Sequence, residues 1–178
     1  MEIFNLITAV LLESIMTKKL ILIFLSIWWG TTVLVDFAVV PTVFQIIENF
    51  FNAGELGMAL FSKVNKFEVF LSSLIIGLSS LHFKRSKRFL IEYFLMLTAG
   101  LIVLTYFSYL TPKISELTLL WKKADSLGVV GIAGISDIQQ EHQFYHRVYV
   151  TLDAIKLLIL STLLIFHVTD KAGENAKA

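Results

Sequence analysis

Four stretches of nearly continuous apolar residues, at about 20–40, 67–81, 89–110 and 148–168, constrain this chain more than any other feature. A helix needs roughly 17–25 mostly apolar residues to cross a bilayer. The second stretch is short, but residues 57–64 can extend it as a helix beyond the hydrocarbon. A membrane barrel would instead show ~10-residue segments of alternating polarity. Of the 178 residues 56% are hydrophobic, above the roughly 45–50% of soluble domains, and that excess exceeds what one soluble core of this size can house. The expected fold class is therefore all-α: an integral membrane four-helix bundle of up-down topology, with the lipid bilayer as its first partner.

Three regions follow: an N-terminal segment 1–19, a four-span membrane domain 20–168 and a flexible tail 169–178. Residues 1–15 are apolar, with Glu2 and Glu13 and no basic n-region. No small-residue cleavage site follows, so an uncleaved first span preceded by an interfacial helix is favoured over a signal peptide. Met16-Thr-Lys-Lys before Leu20 also reads as a start, which leaves Met1 and Met16 as alternatives. Pro41 is expected to end or kink the first helix. Asn52-Ala-Gly54-Glu55 reads as a break, with the second helix restarting near Gly54. Thr111-Pro112 opens an extra amphipathic helix in the third loop, with Ile114, Leu117, Leu120, Trp121, Ala124 and Leu127 at helical spacing and Gly128 as its close. Gly128, Gly131 and Gly134 then recur in an apolar loop, read as a flexible connection.

Four spans bring both termini to one side. Lys18, Lys19, Lys84, Arg85, Lys87, Arg88, Lys171 and Lys177 gather on that side, half of them in the very short second loop. Lys63, Lys66, Lys113, Lys122, Lys123 and Arg147 are spread over longer loops on the other. Basic density in short loops orients membrane proteins, so the expectation is a bacterial inner-membrane protein with both termini cytoplasmic. The net charge of +1 lacks the basic field that nucleic acid would require. Cysteine is absent, which removes disulfides and thiolate chemistry. No phosphate loop, nucleophile elbow or Ser/His/Asp arrangement supports an enzyme.

Chemistry concentrates in the outer half of the spans. Asp153 and Lys156, three residues apart in the last apolar stretch, share a helix face and can neutralise each other. Charges at such depth cost roughly 2.5–3.5 kcal/mol each on insertion scales and usually face the protein interior. Asp36 lies in span one, Glu68 opens span two, Tyr106 and Tyr109 lie near the end of span three, and His146 and Tyr149 precede Asp153. The candidate proton or ligand site is Asp36, Tyr106, His146, Asp153 and Lys156, with Asp36 and His146 binding a cation or exchanging a proton. An outward-facing polar pocket would carry that function. The alternative is a scaffold or accessory subunit whose charges hold the helices together.

A divalent metal is a further option: His142 and His146 are four apart on one face, with Asp36 or Glu68 as third ligand. The pattern is not His-Glu-x-x-His, because Glu141 precedes both histidines. Haem is not expected, since His82 and His167 read most simply as interfacial residues. Trp28 and Trp29 read as a helix-packing surface. Ser72, Ser73, Gly77, Ser79 and Ser80 give span two a small-residue face suited to close helix contact, within the bundle or in a homodimer.

Trp29-Gly30, Phe37-Ala-Val-Val-Pro41-Thr-Val-Phe44, Asn52-Ala-Gly54, Leu60-Phe61, Pro112 and Phe144-Tyr-His146 occur in an order that resembles the transmembrane-protein-205-like family. The resemblance covers about 28–166 and implies a four-helix integral membrane protein. It points to Pro41, Phe44, Gly54, Phe61, Pro112 and His146 as the residues of interest, of which only His146 carries chemistry. Animal relatives are associated with platinum-drug resistance and vesicle traffic, which implies export or metal handling without a mechanism. Members often carry asparagine where this chain has Asp153.

Overall fold

A computed structural model describes residues 2–81, 86–127 and 133–175, with side chains for 16–81, 86–127 and 136–169. Helix α1, Glu2–Leu34, runs through a π-helical turn at Val35–Val39 into α2, Val40–Ile46. Helix α3 spans Phe50–Leu81 and α4 spans Lys87–Thr105. A second π-helical turn, Tyr106–Leu110, joins α4 to α5, Thr111–Ser126, and α6 covers Ala133–Asn175. Helix α1 packs against α3 and α6, and α4 packs against the same two, which gives the up-down four-helix bundle.

Both π turns end two residues before a proline, and the prolines explain them. Pro41 and Pro112 have no N–H, and in a regular helix their rings would meet the carbonyl four residues earlier. The wider turn moves that carbonyl away. Val40 N–H donates to Val35 O and Thr111 N–H to Tyr106 O, five residues back in each case. The sequence expectation that Pro41 ends or kinks the helix resolves into continuation through a π turn.

The second helix begins earlier than expected. Asn49 is its N-cap, with its Oδ1 accepting from Asn52 N–H at 3.0 Å. Asn52-Ala-Gly54 therefore lies inside α3. Phe50 and Phe51 pack on Trp121 at ring separations of 5.6 and 5.4 Å, which holds these first turns against α5. Helix α4 starts where Ser86 Oγ accepts from Phe89 N–H at 3.2 Å.

The expected third-loop helix is present as α5, but it prolongs α4 and joins the bundle. Leu117 and Thr118 are buried, and α5 packs on α3 and α6. Gly128 and Gly131 lie outside the described residues, while Gly134 is already helical in α6.

The core runs through Leu25, Trp28, Ile75, Ala99, Val103, Tyr106, Leu160 and Leu163. Gly100 brings α4 close to α3: a Cβ there would stand 3.0 Å from Ile76 Cδ1 and 3.8 Å from Ser72 Cβ. The outer surface carries Ile23, Phe37, Phe70, Phe94, Leu101, Leu158 and Ile165, as a lipid-facing belt requires. Four segments, Met16–Ile46, Phe50–Leu81, Lys87–Ser126 and Ser136–Thr169, are long and apolar enough to cross a membrane. At 31 to 40 residues each, they exceed the roughly 20 residues a crossing needs, so the bundle projects past the hydrocarbon. The segment α2, the first turns of α3, α5 and the start of α6 form its end away from the chain termini, termed here the distal end.

Candidate functional site

Polar residues recur at helical spacing along the inner faces. On α1 and its π turn, Trp28, Thr32 and Asp36 stand four residues apart; on α3 the buried polar set is Asn65, Glu68, Ser72 and, further along, Ser79. On α6, Tyr149, Asp153 and Lys156 continue into the apolar Leu160 and Leu163 with a seven-residue repeat. These three faces converge.

Their focus is the Lys156 ammonium, 2% exposed as a side chain. Its Nζ lies 2.8 and 3.0 Å from the two Glu68 carboxylate oxygens and 2.7 Å from Asp153 Oδ1. Three carboxylate oxygens thus surround the ammonium. Glu68, 1% exposed, also accepts from Trp28 Nε1 at 3.1 Å and from the Thr32 hydroxyl at 2.8 Å, both on Oε1. The Tyr106 ring lies beneath the ammonium, 5.2 Å from Nζ to the centroid. That ring stacks on Tyr149 at 4.2 Å and donates its hydroxyl to Tyr149 O at 3.3 Å. Tyr149 in turn donates to Asn65 Oδ1 at 3.2 Å, and Asn65 Nδ2 donates to Thr111 Oγ1 at 2.7 Å. One polar network thus links α1, α3, the second π turn, α5 and α6.

Asp36 completes the cluster from the first π turn. Its carboxyl is within hydrogen-bonding reach of the Asp153 carboxyl, and its Oδ2 is buried with no hydrogen-bond partner. The residue as a whole is half-buried, whereas Glu68, Asp153 and Lys156 are sealed. Asp36 is therefore the member of the cluster nearest the bundle surface. Both π turns contribute a cluster residue, Asp36 from one and Tyr106 from the other.

Charge balance is the cluster's chief property. Three carboxyls, from Asp36, Glu68 and Asp153, face one ammonium. With every acid ionised, two negative charges would lack a partner in a place where unpaired charge is expensive. Two carboxyls within hydrogen-bonding reach form that bond only when one of them carries a proton.

The expected Asp153–Lys156 pair is present, and Asp36 joins it. The main correction concerns Glu68: its place is the middle of the 32-residue α3, as the principal partner of Lys156 rather than a residue at the helix opening. His146 does not enter the cluster, since it precedes Asp153 by seven residues, about 10 Å along the helix. Its ring stacks on His142 with centroids 6.3 Å apart, and His142 packs on Trp121 at 5.8 Å. The metal set His142, His146, Asp36 and Glu68 is not assembled. Among the described residues no group of three or more histidine or acidic side chains is arranged to hold a metal.

Tyr106 forms a wall of the site with its hydroxyl committed to a backbone carbonyl. His167 Nδ1 lies 3.0 Å from Leu163 O, and His82 lies outside the described residues. Trp28, Thr32 and Asn65 are site residues that sequence reasoning missed. The four-residue stripe Trp28–Thr32–Asp36 was the available signal. Trp29 points elsewhere, donating to Ser161 Oγ at 2.9 Å.

A helical bundle of membrane-spanning length, with ionisable groups sealed between its helices, defines a multi-pass integral membrane protein. Residues 23–121, more than half of the chain, match the model of the family described as a domain of unknown function (DUF4149), and the chain belongs to that family. The match includes Trp28, Thr32, Asp36, Glu68 and Tyr106 and ends before α6, which supplies Asp153 and Lys156. No curated protein and no solved structure matches the chain.

Proposed function

We propose that this protein handles protons within the membrane, with Asp36 and Asp153 sharing a proton beside the fixed Glu68–Lys156 pair. The observation that carries the reading is the surplus of buried carboxyls over Lys156, with Asp36 Oδ2 unpartnered. Lys156 pairs with Glu68 and Asp153, and it makes no ion pair with Asp36. Proton uptake lowers the uncompensated charge, and the half-buried Asp36 is the group through which a proton can enter or leave.

Infrared difference spectroscopy of the reconstituted protein tests this by the stretching band of a protonated carboxyl. The wild type is expected to show a pH-titrating band that shifts in deuterium oxide and is lost in Asp36→Asn. Absence of such a band across the pH range, or its persistence in both Asp36→Asn and Asp153→Asn, would remove the proposal.

The scaffold reading draws on the same triad, since Glu68, Lys156 and Asp153 tie α3 to α6 as structural glue would. It requires Asp36→Asn to leave every proton-linked signal unchanged. The proposal also takes up the finer sequence expectations. These are a bacterial inner membrane, cytoplasmic termini, likeness to the transmembrane-protein-205-like family and, because one bundle is small for alternating access, a homodimer. The distal end then faces outward. A terminal reporter fusion active outside the cell would refute that orientation, and a monomeric native mass the dimer.

A further inference from the structure

A groove of about 460 Å³ opens between α3 and α5 at the distal end, apart from the carboxyl cluster. Its volume falls within the roughly 300–1,000 Å³ typical of ligand sites. Asn65 forms its inner end, beside Thr111 and Pro112 where the second π turn passes into α5. Its lining includes the apolar Met58 from α3, Leu119 from α5 and Phe107 from the second π turn. Each helix also contributes one serine hydroxyl, Ser62 from α3 and Ser115 from α5.

Those two hydroxyls are unusual in this protein. Ser73, Ser80, Thr98, Thr105, Ser108 and Thr118 each donate to the carbonyl four residues earlier. Ser62 and Ser115 make no hydrogen bond to any described residue, and both face the groove. Two donors are therefore available to an oxygen acceptor. At the other end of the groove Glu55 is paired with Lys122 at 2.7 Å, so no net charge faces an occupant. A neutral or zwitterionic ligand is favoured over an anion or a cation.

Depth identifies the occupant. Asn65 and Phe107 lie beside the ends of the apolar stretches 67–81 and 89–110, whereas Glu55 and Lys122 lie beyond them. The groove thus runs from the edge of the hydrocarbon into the interfacial zone, where a glycerolipid carries its ester carbonyls and then its head group. We propose that it is a binding site for one zwitterionic glycerolipid, with an ester carbonyl on Ser62 and Ser115 and an acyl chain along Met58 and Phe107. This inference does not rest on the proton reading, because neither Lys156 nor any of the three clustered carboxyls lines the groove.

Native mass spectrometry of delipidated protein, titrated with dioleoylphosphatidylethanolamine and separately with dioleoylphosphatidylglycerol, provides the test. A saturable single adduct with the zwitterionic lipid is expected, with no tighter binding of the anionic one. Ser62→Ala/Ser115→Ala removes both donors with little effect on helix propensity and is expected to weaken binding about tenfold. Ser73→Ala, on the exposed face of α3, and Asp36→Asn should both bind as the wild type. Absence of a saturable adduct, equal affinity in the double variant or preference for the anionic lipid would each overturn the site.

Discussion

Replacing Lys156 with methionine is expected to destabilise the bundle by about 3–5 kcal/mol, the usual penalty when one partner of a buried ion pair is removed. The cause is what remains. Glu68, Asp153 and Asp36 would be left facing one another with no cation, and Glu68 would retain only its bonds from Trp28 and Thr32. Methionine fills most of the volume of the lysine stem, so the loss reports charge rather than a cavity. Unfolding in mixed micelles by a denaturing detergent measures it. Pairing Lys156→Met with Glu68→Leu is expected to recover much of the loss, because the double variant no longer buries that carboxylate. A Lys156→Met protein as stable as the wild type would show that the ammonium is not what holds α3 to α6.

The second large effect is expected at Trp28, which is 1% exposed in the core and donates to Glu68. Trp28→Ala should cost about 3–5 kcal/mol through the cavity it leaves. Trp28→Phe separates the two contributions: most of the packing survives, but the N–H bond to a charged acceptor is lost, at about 1.5–3 kcal/mol. The neighbouring Trp29 donates to the hydroxyl of Ser161 from a partly exposed position. Trp29→Phe should therefore cost about 1 kcal/mol or less. Equal losses for the two phenylalanine variants, in the same unfolding assay, would contradict the role given to Trp28 at the charge cluster.

These two residues also mark where reading the chain reached its limit. The pairing of Asp153 with Lys156 was legible because three residues along one helix fix their relation without knowledge of any neighbour. Trp28 and Glu68 could not be paired that way. They are 40 residues apart on different helices, and their meeting depends on how α1 is rotated and raised against α3. Asn49 caps α3 even though Asn52-Ala-Gly54 carries the stronger break signal in the sequence. Packing of Phe50 and Phe51 on Trp121 outweighs that signal. The histidine pair shows the converse: its four-residue spacing puts the two rings on one face, where they stack, yet among the described residues no third ligand reaches it.

The amino-acid sequence by itself determined that the chain crosses a membrane four times as helices, because the length of an apolar run and the backbone's need for internal hydrogen bonds are local properties. It also determined that charge would be buried, since Asp153 and Lys156 lie inside such a run. Tertiary structure alone decided which carboxylate holds Lys156, that both prolines are absorbed by π turns and that Asp36 lacks a partner for one oxygen. Each of these depends on the rotation and relative height of neighbouring helices. In lipid those variables are set by side-chain packing and interhelical hydrogen bonds rather than by a hydrophobic pattern written along any one segment.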